Sequence, residues 1–245
     1  TGSNNNSGES YVQVGHAGQG SAYSVSDSLI DVDADAGGIT LQGSSAQNSV
    51  MIGHGGERAG GTSYAGQIDV NAANAITLRG GTNTTSTAQI GHGGSQTNAT
   101  LSGNVSVTSN TGDILLTGGT NTDASAHIGH GGRLSVGDKS GSVSAVATAG
   151  NVVLQGGTLN QAYAQIGHGG HDADFSTGTT AASTVTVTAG GDVFVRGTAT
   201  GTPSNNAAPQ SYALIGHGGQ YTSGNFLGNV MVTAGDEIEL LGGAS

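Results

Sequence analysis

The pentapeptide Ile-Gly-His-Gly-Gly occurs five times, at Ile52–Gly56, Ile90–Gly94, Ile128–Gly132, Ile166–Gly170 and Ile215–Gly219. A sixth version, Val-Gly-His-Ala-Gly, spans Val14–Gly18. The motif histidines are His16, His54, His92, His130, His168 and His217, and their separations are 38, 38, 38, 38 and 49 residues. A fixed period of this length argues against an ordinary globular topology. Each unit is one small element that buries nothing alone and must stack on its neighbours.

The remainder of each unit repeats as well. After the motif and a variable stretch comes an alternating run such as Ile68-Asp-Val-Asn-Ala72 or Thr184-Val-Thr-Val-Thr188. A Gly/Asn/Asp turn leads to a second run, Ile76-Thr-Leu-Arg79 or Val193-Phe-Val-Arg196, which ends in glycine. A third, Ala88-Gln-Ile90 or Ala164-Gln-Ile166, enters the next motif. Alternation of Val, Ile and Thr broken by glycine means strands. With 47 glycines, no cysteine and no tryptophan, the core must be thin and aliphatic. The expected fold is all-β, a parallel β-helix (β-solenoid) of about six coils of ~38 residues with three short strands each, forming a single unit over residues 1–245. The usual crossover preference makes it right-handed. The long step places its extra residues in loops, and the chain's only prolines, Pro203 and Pro209, fall there.

Period 2 assigns faces. Val12, Val50, Ala88, Ala126, Ala164 and Ala213 share the inner side with the motif isoleucines, and counting onward turns the motif histidines inward at a corner. Gln13, Met51, Gln89, His127, Gln165 and Leu214 are then expected to point out. Three readings of the stacked histidines follow. They form a structural ladder, each ring donating one N–H to a carbonyl and accepting from a backbone amide; they converge on a metal ion; or they sense pH, because charging stacked buried rings is costly. The absence of cysteine and of a regular acidic column favours the first. Tyr11, Tyr163 and Tyr212 form a partial outward aromatic column, a candidate contact for sugar or protein. Asp31, Asp33 and Asp35 resemble the start of a calcium loop, but Ala36 and Gln42 stand where the glycine and closing acid belong. No other cofactor is indicated.

Five Lys+Arg against sixteen Asp+Glu, a formal charge of −11, exclude a phosphate-binding surface and hence nucleic acid. No segment is apolar enough to insert in a membrane. The acids Asp69, Asp113, Asp123, Asp138, Asp192, Asp236, Glu237 and Glu239 are scattered rather than paired for glycoside chemistry, and Asp113, Asp192 and Asp236 are turn formers first. The chain is therefore expected not to be an enzyme.

The phrase Asn104-Val-Ser-Val-Thr-Ser-Asn-Thr-Gly-Asp-Ile-Leu-Leu-Thr-Gly-Gly-Thr120 resembles the haemagglutinin-type repeats of filamentous adhesins, bacterial surface proteins often exported by two-partner secretion. The units here are longer than that family's coils. The resemblance implies an extracellular, cell-surface stalk or fibre, non-catalytic and of the kind found in biofilms, with cell-surface glycans or proteins as partners. The last unit stops after its second run, so neighbouring repeats of the same polypeptide, or further copies of the chain stacked head to tail into a filament, are expected to cover it. A polysaccharide-binding or polysaccharide-active β-helix is the remaining alternative.

Overall fold

A computed structural model describes residues 10–45, 48–177, 183–198 and 211–243. The described residues contain strands and turns and no helix. Three parallel sheets of six strands each run the length of the molecule. The motif sheet consists of Ser10–Val14, Asn48–Ile52, Ala88–Ile90, Ala126–Ile128, Ala164–Ile166 and Ala213–Ile215. The long sheet consists of Ile30–Ala34, Ile68–Ala72, Val105–Ser109, Val143–Ala147, Val185–Ala189 and Val230–Ala234. The closing sheet consists of Ile39–Gln42, Ile76–Arg79, Ile114–Thr117, Val152–Gln155, Val193–Arg196 and Ile238–Leu241. Each strand pairs in register with its counterpart one unit away, as in Ile114↔Ile76 and Ile114↔Val152. This is a β-solenoid. Its six rungs enclose five full turns between first and last, one fewer than a count of motifs suggests.

A further correction concerns the variable stretch. Ser63–Ala65, Thr100–Ser102 and Lys139–Ser140 pair as a short fourth sheet, so rungs 2 to 4 have four strands rather than three. Isolated parallel bridges, Val25↔Tyr64 and Asp174↔Ser223 among them, carry the same row toward both ends. The expected loop around Pro203 and Pro209 lies outside the described residues.

Alternation produces the burial. In Val105–Ser109 the residues read buried, half-buried, buried, half-buried, buried, and the inner faces of all three sheets meet in one aliphatic core. Ile68, Ile90, Ile114, Ile128, Ile166 and Leu154 are completely enclosed. Each such side chain contributes about 1.5–3 kcal/mol relative to exposure. Toward the two ends of the described residues exposure rises, with Val12 66% and Leu240 77% exposed.

Candidate functional site

The motif turn is dictated by crowding between rungs. Gly91 has φ +151°, and a Cβ there would collide with the carbonyl oxygen of Gly129 in the rung beside it. Gly93 has φ +89°, with Leu101 packed where its Cβ would stand. Only glycine supplies both the conformation and the clearance. The backbone reverses around the histidine and leaves its ring at the wall between the aliphatic core and the short sheet.

There the six imidazoles form a continuous stack. Ring centroids of successive histidines are 5.3, 4.8, 4.7, 4.7 and 4.9 Å apart, with planes within 19° of parallel. The backbone N–H of each histidine donates to Nδ1 of the next: His16 to His54 at 3.1 Å, His54 to His92 and His92 to His130 at 3.0 Å, His130 to His168 at 3.1 Å, and His168 to His217 at 3.2 Å. Since Nδ1 accepts, the proton sits on Nε2. Nε2 in turn donates to a carbonyl across the wall, from His92 to Gly66 (2.9 Å), His130 to Gly103 (2.9 Å), His168 to Gly141 (2.8 Å) and His217 to Ser183 (2.9 Å). In the second rung His54 Nε2 meets the Ser28 hydroxyl at 2.7 Å.

This pattern has two chemical consequences. Both nitrogens of His54 through His217 are committed, so these rings have no lone pair to offer a metal. Protonation would put a second N–H opposite a backbone N–H. Burial, the largest cause, lowers the pKa of His92 to about 4 and of His168 to about 3. Burial followed by the neighbouring histidines holds His130 well below the ordinary 6.5, and His54 and His217 are also lowered, chiefly by burial. The buried part of the stack, His54 through His217, is held neutral at pH 7.

The outer side of the motif sheet differs from expectation. Gln89, His127 and Gln165 are buried, not solvent-facing, because the chain leaving each motif folds back across them. Gln13 Nε2 donates to the carbonyls of Gly53 (2.7 Å) and Gly55 (3.2 Å) one rung away. Gln89 does the same to Gly129 (3.1 Å) and Gly131 (2.9 Å), and Gln165 to Gly216 (3.2 Å) and Gly218 (3.0 Å). His127 reaches Gly167 through Nε2 at 2.6 Å, and burial lowers its pKa to about 4. A second hydrogen-bonded seam thus runs behind the first. Met51 interrupts it, and a cavity of about 20 Å³ bordered by Met51, Gln89, Gly93 and Ser95 lies at the interruption.

Behind the histidine wall is a second, smaller core. Val25, Tyr64, Leu101 and Lys139 occupy paired positions in rungs 1 to 4, and the rings of Phe175 and Phe226, 4.9 Å apart, continue the filling. Lys139 is fully buried. Its Nζ donates to the Gly137 carbonyl at 2.9 Å and lies 4.4 Å from the Phe175 ring centre. Burial pushes its pKa down to about 7 against the opposing pull of Asp138 and Asp174.

The remaining candidates separate. Tyr11 is half exposed, but Tyr163 is buried and stacked on Tyr212 at 5.1 Å, with the Tyr163 hydroxyl against Gly170. Tyr163 is a packing group rather than the surface contact expected, since the same folded-back chain covers it, whereas Tyr212 is only half-buried. Asp31 and Asp33 project side by side from an extended strand, and Asp33 accepts from Asn71 Nδ2 at 3.0 Å; with Asp35 they line a surface and do not surround a centre. Asp113, Asn151 and Asp192 cap the next rung's backbone: Asp113 accepts from Asn151 N (2.8 Å), Asn151 from Asp192 N (2.7 Å) and Asp192 from Glu237 N (2.9 Å). Asp123 pairs with Arg133 at 2.9 Å, and burial raises its pKa to about 6. Among the described residues no group of three or more His, Asp or Glu side chains is arranged to hold a metal ion. Comparison with known proteins matches no family model, no curated protein and no solved structure.

Proposed function

We propose that this chain is a structural, non-catalytic segment of a bacterial extracellular fibre or surface adhesin, a rigid spacer whose outer faces are available for contact. The observation that carries this reading is where the polar groups go. The histidines, the seam glutamines, Asn151 and the turn aspartates Asp113 and Asp192 spend their hydrogen bonds between rungs of the chain itself. A glycosidase or lyase needs carboxylates converging on substrate. Here Asp113 and Asp192 each hold the backbone of the adjoining rung. The haemagglutinin-type phrase at Asn104–Thr120 supports a cell-surface setting, and the −11 charge suits a solvated fibre. The test is to incubate the protein with a panel of acidic and neutral polysaccharides while following reducing ends and 235 nm absorbance. No turnover is expected. Turnover abolished by Asp113→Asn or Asp192→Asn would overturn the reading in favour of a polysaccharide-active β-helix. Surface shaving with protease on the producing cell tests location, and release of peptides from this chain is expected.

A further inference from the structure

The glutamine seam has one interruption, and oxygen atoms collect around it. In rungs 1, 3 and 5 a glutamine Nε2 covers two motif carbonyls of the rung that follows: Gly53 and Gly55 for Gln13, Gly129 and Gly131 for Gln89, Gly216 and Gly218 for Gln165. Met51 stands in the same column between Gln13 and Gln89. The carbonyls that a glutamine there would cover are those of Gly91 and Gly93, and a methionine has no N–H to give them. The cavity of about 20 Å³ at this place is bordered by Met51, Glu57, Gln89, Gly93, Gly94 and Ser95. Three of these side chains bring oxygen to it. Ser95 is only 7% exposed, and its Oγ has no hydrogen-bond partner among the described residues. Gln89 spends Nε2 on Gly129 and Gly131, so its amide oxygen is the atom it can offer. Glu57 is only 6% exposed and brings a carboxylate, whose Oε1 lies 3.4 Å from Nη2 of the half-exposed Arg58.

We propose that this cavity is a binding site for one monovalent metal cation, Na⁺ or K⁺, held by the Glu57 carboxylate, the Ser95 hydroxyl, the Gly93 carbonyl and the Gln89 amide oxygen. Buried oxygens of this kind call for positive charge or donated hydrogens beside them. In the neighbouring rungs the amide hydrogens of Gln13 and Gln89 meet that need at the glycine carbonyls. At Met51 the ion takes over their role. Size and charge both select the occupant. The space admits one particle about as large as a water molecule. Oxygen ligands suit hard cations and not soft ones, and the carboxylate turns anions away. Calcium takes about six to eight oxygens, commonly with several carboxylates among them, whereas Glu57 is the one acid bordering this cavity. A single positive charge matches a single buried carboxylate.

The test is urea unfolding of the whole chain in sodium, potassium or tetramethylammonium chloride at one ionic strength, so that screening of the −11 charge is the same in each. Tetramethylammonium is too large for a cavity of about 20 Å³. With one site, the folding constant is expected to gain about tenfold for each tenfold rise in Na⁺ or K⁺ above the dissociation constant, and to stay unchanged in the bulky ammonium salt. Met51→Gln supplies N–H groups at the place of the ion and is expected to abolish the dependence. Glu57→Gln should raise the ion concentration required by about tenfold. Thallium(I) soaked into crystals is expected to give an anomalous-scattering peak between Glu57, Gly93 and Ser95. Equal midpoints in the three salts, or no peak in the cavity, would overturn the proposal and leave a water molecule as the occupant. An ion dependence that Met51→Gln leaves intact would also overturn it, by moving the cation to another part of the molecule. Polysaccharide turnover would overturn the structural reading of the chain and leave this site standing.

Discussion

The aliphatic core and the small core behind the histidine wall are built from the same repeat, yet only one is uniform. Facing positions of the long and closing sheets are Ile, Val, Leu or Ala in every rung, except for the buried Ser109 of the third rung. The small core holds Val25, Tyr64, Leu101, Lys139 and Phe175 in successive rungs. Three in-register sheets fix the volume of the large core, so a change of shape in one rung strains its two neighbours. The small core is closed on one side by a turn and by short strands in only some rungs, and that wall adjusts. Uniformity therefore follows enclosure by sheets on all sides, and not burial alone: Tyr64 and Lys139 are as buried as Ile128.

The strongest way to break the comparison is a truncation in the uniform core. Ile128→Ala is expected to cost about 2–5 kcal/mol in denaturant unfolding. A loss under 1 kcal/mol would mean that the sheets adjust as freely as the turn. The reverse is expected next door. Lys139→Leu should stabilise by about 1–4 kcal/mol at pH 6, because the unfolded chain keeps its lysine charged up to about 10.5 while the folded one releases the proton near 7. In the parent protein stability should therefore rise with pH between 7 and 10.5, and the advantage of the leucine variant should shrink over the same range. A destabilising Lys139→Leu would show that the Gly137 and Phe175 contacts outweigh desolvation.

The wall between the cores responds to acid. His54, His92, His130, His168 and His217 have folded pKa values below their ordinary 6.5, so between those values the unfolded state binds more protons. Their contribution is fully present above about 6.5 and is lost as pH falls toward 4 at His92 and 3 at His168. Asp123 acts oppositely between 3.8 and about 6, but it is one group against several. Melting temperature should fall steeply from pH 6.5 to 4 and be unchanged by chelators at pH 7. A flat profile would contradict the buried neutral spine.

The smallest effect expected is Met51→Gln. It would place a donor where Gln13 and Gln89 have theirs, raising stability by about 0.5–1.5 kcal/mol at pH 7. No gain would mean that the seam is incidental to stability.

The rows were legible because a 38-residue period and strict alternation leave one register, and the runs at Ile76–Arg79 and Ala88–Ile90 match the observed strands residue for residue. The inward turn of the histidines came from the same count. Alternation says on which side of a strand a residue stands, and nothing about what lies beyond that side. For that reason the count alone places Gln89, His127, Gln165 and Tyr163 on the solvent side, although each is buried. Three glutamines in the same column of the repeat were the available signal, since an exposed column has no reason to keep returning to one amide. Lys139 carried no such signal. It sits in a stretch that varies from unit to unit, where a lysine reads as surface.

A neutral histidine stack, hydrogen-bonded rung to rung, is the spine of the molecule. Long-range ¹⁵N–¹H correlation of the imidazoles at pH 7 measures it directly. His92, His130 and His168 are expected as Nε2–H tautomers, with Nδ1 at the shift of a hydrogen-bonded acceptor and Nε2–H protected from exchange. Imidazolium signals, the Nδ1–H tautomer, or shifts that move on adding zinc would contradict it.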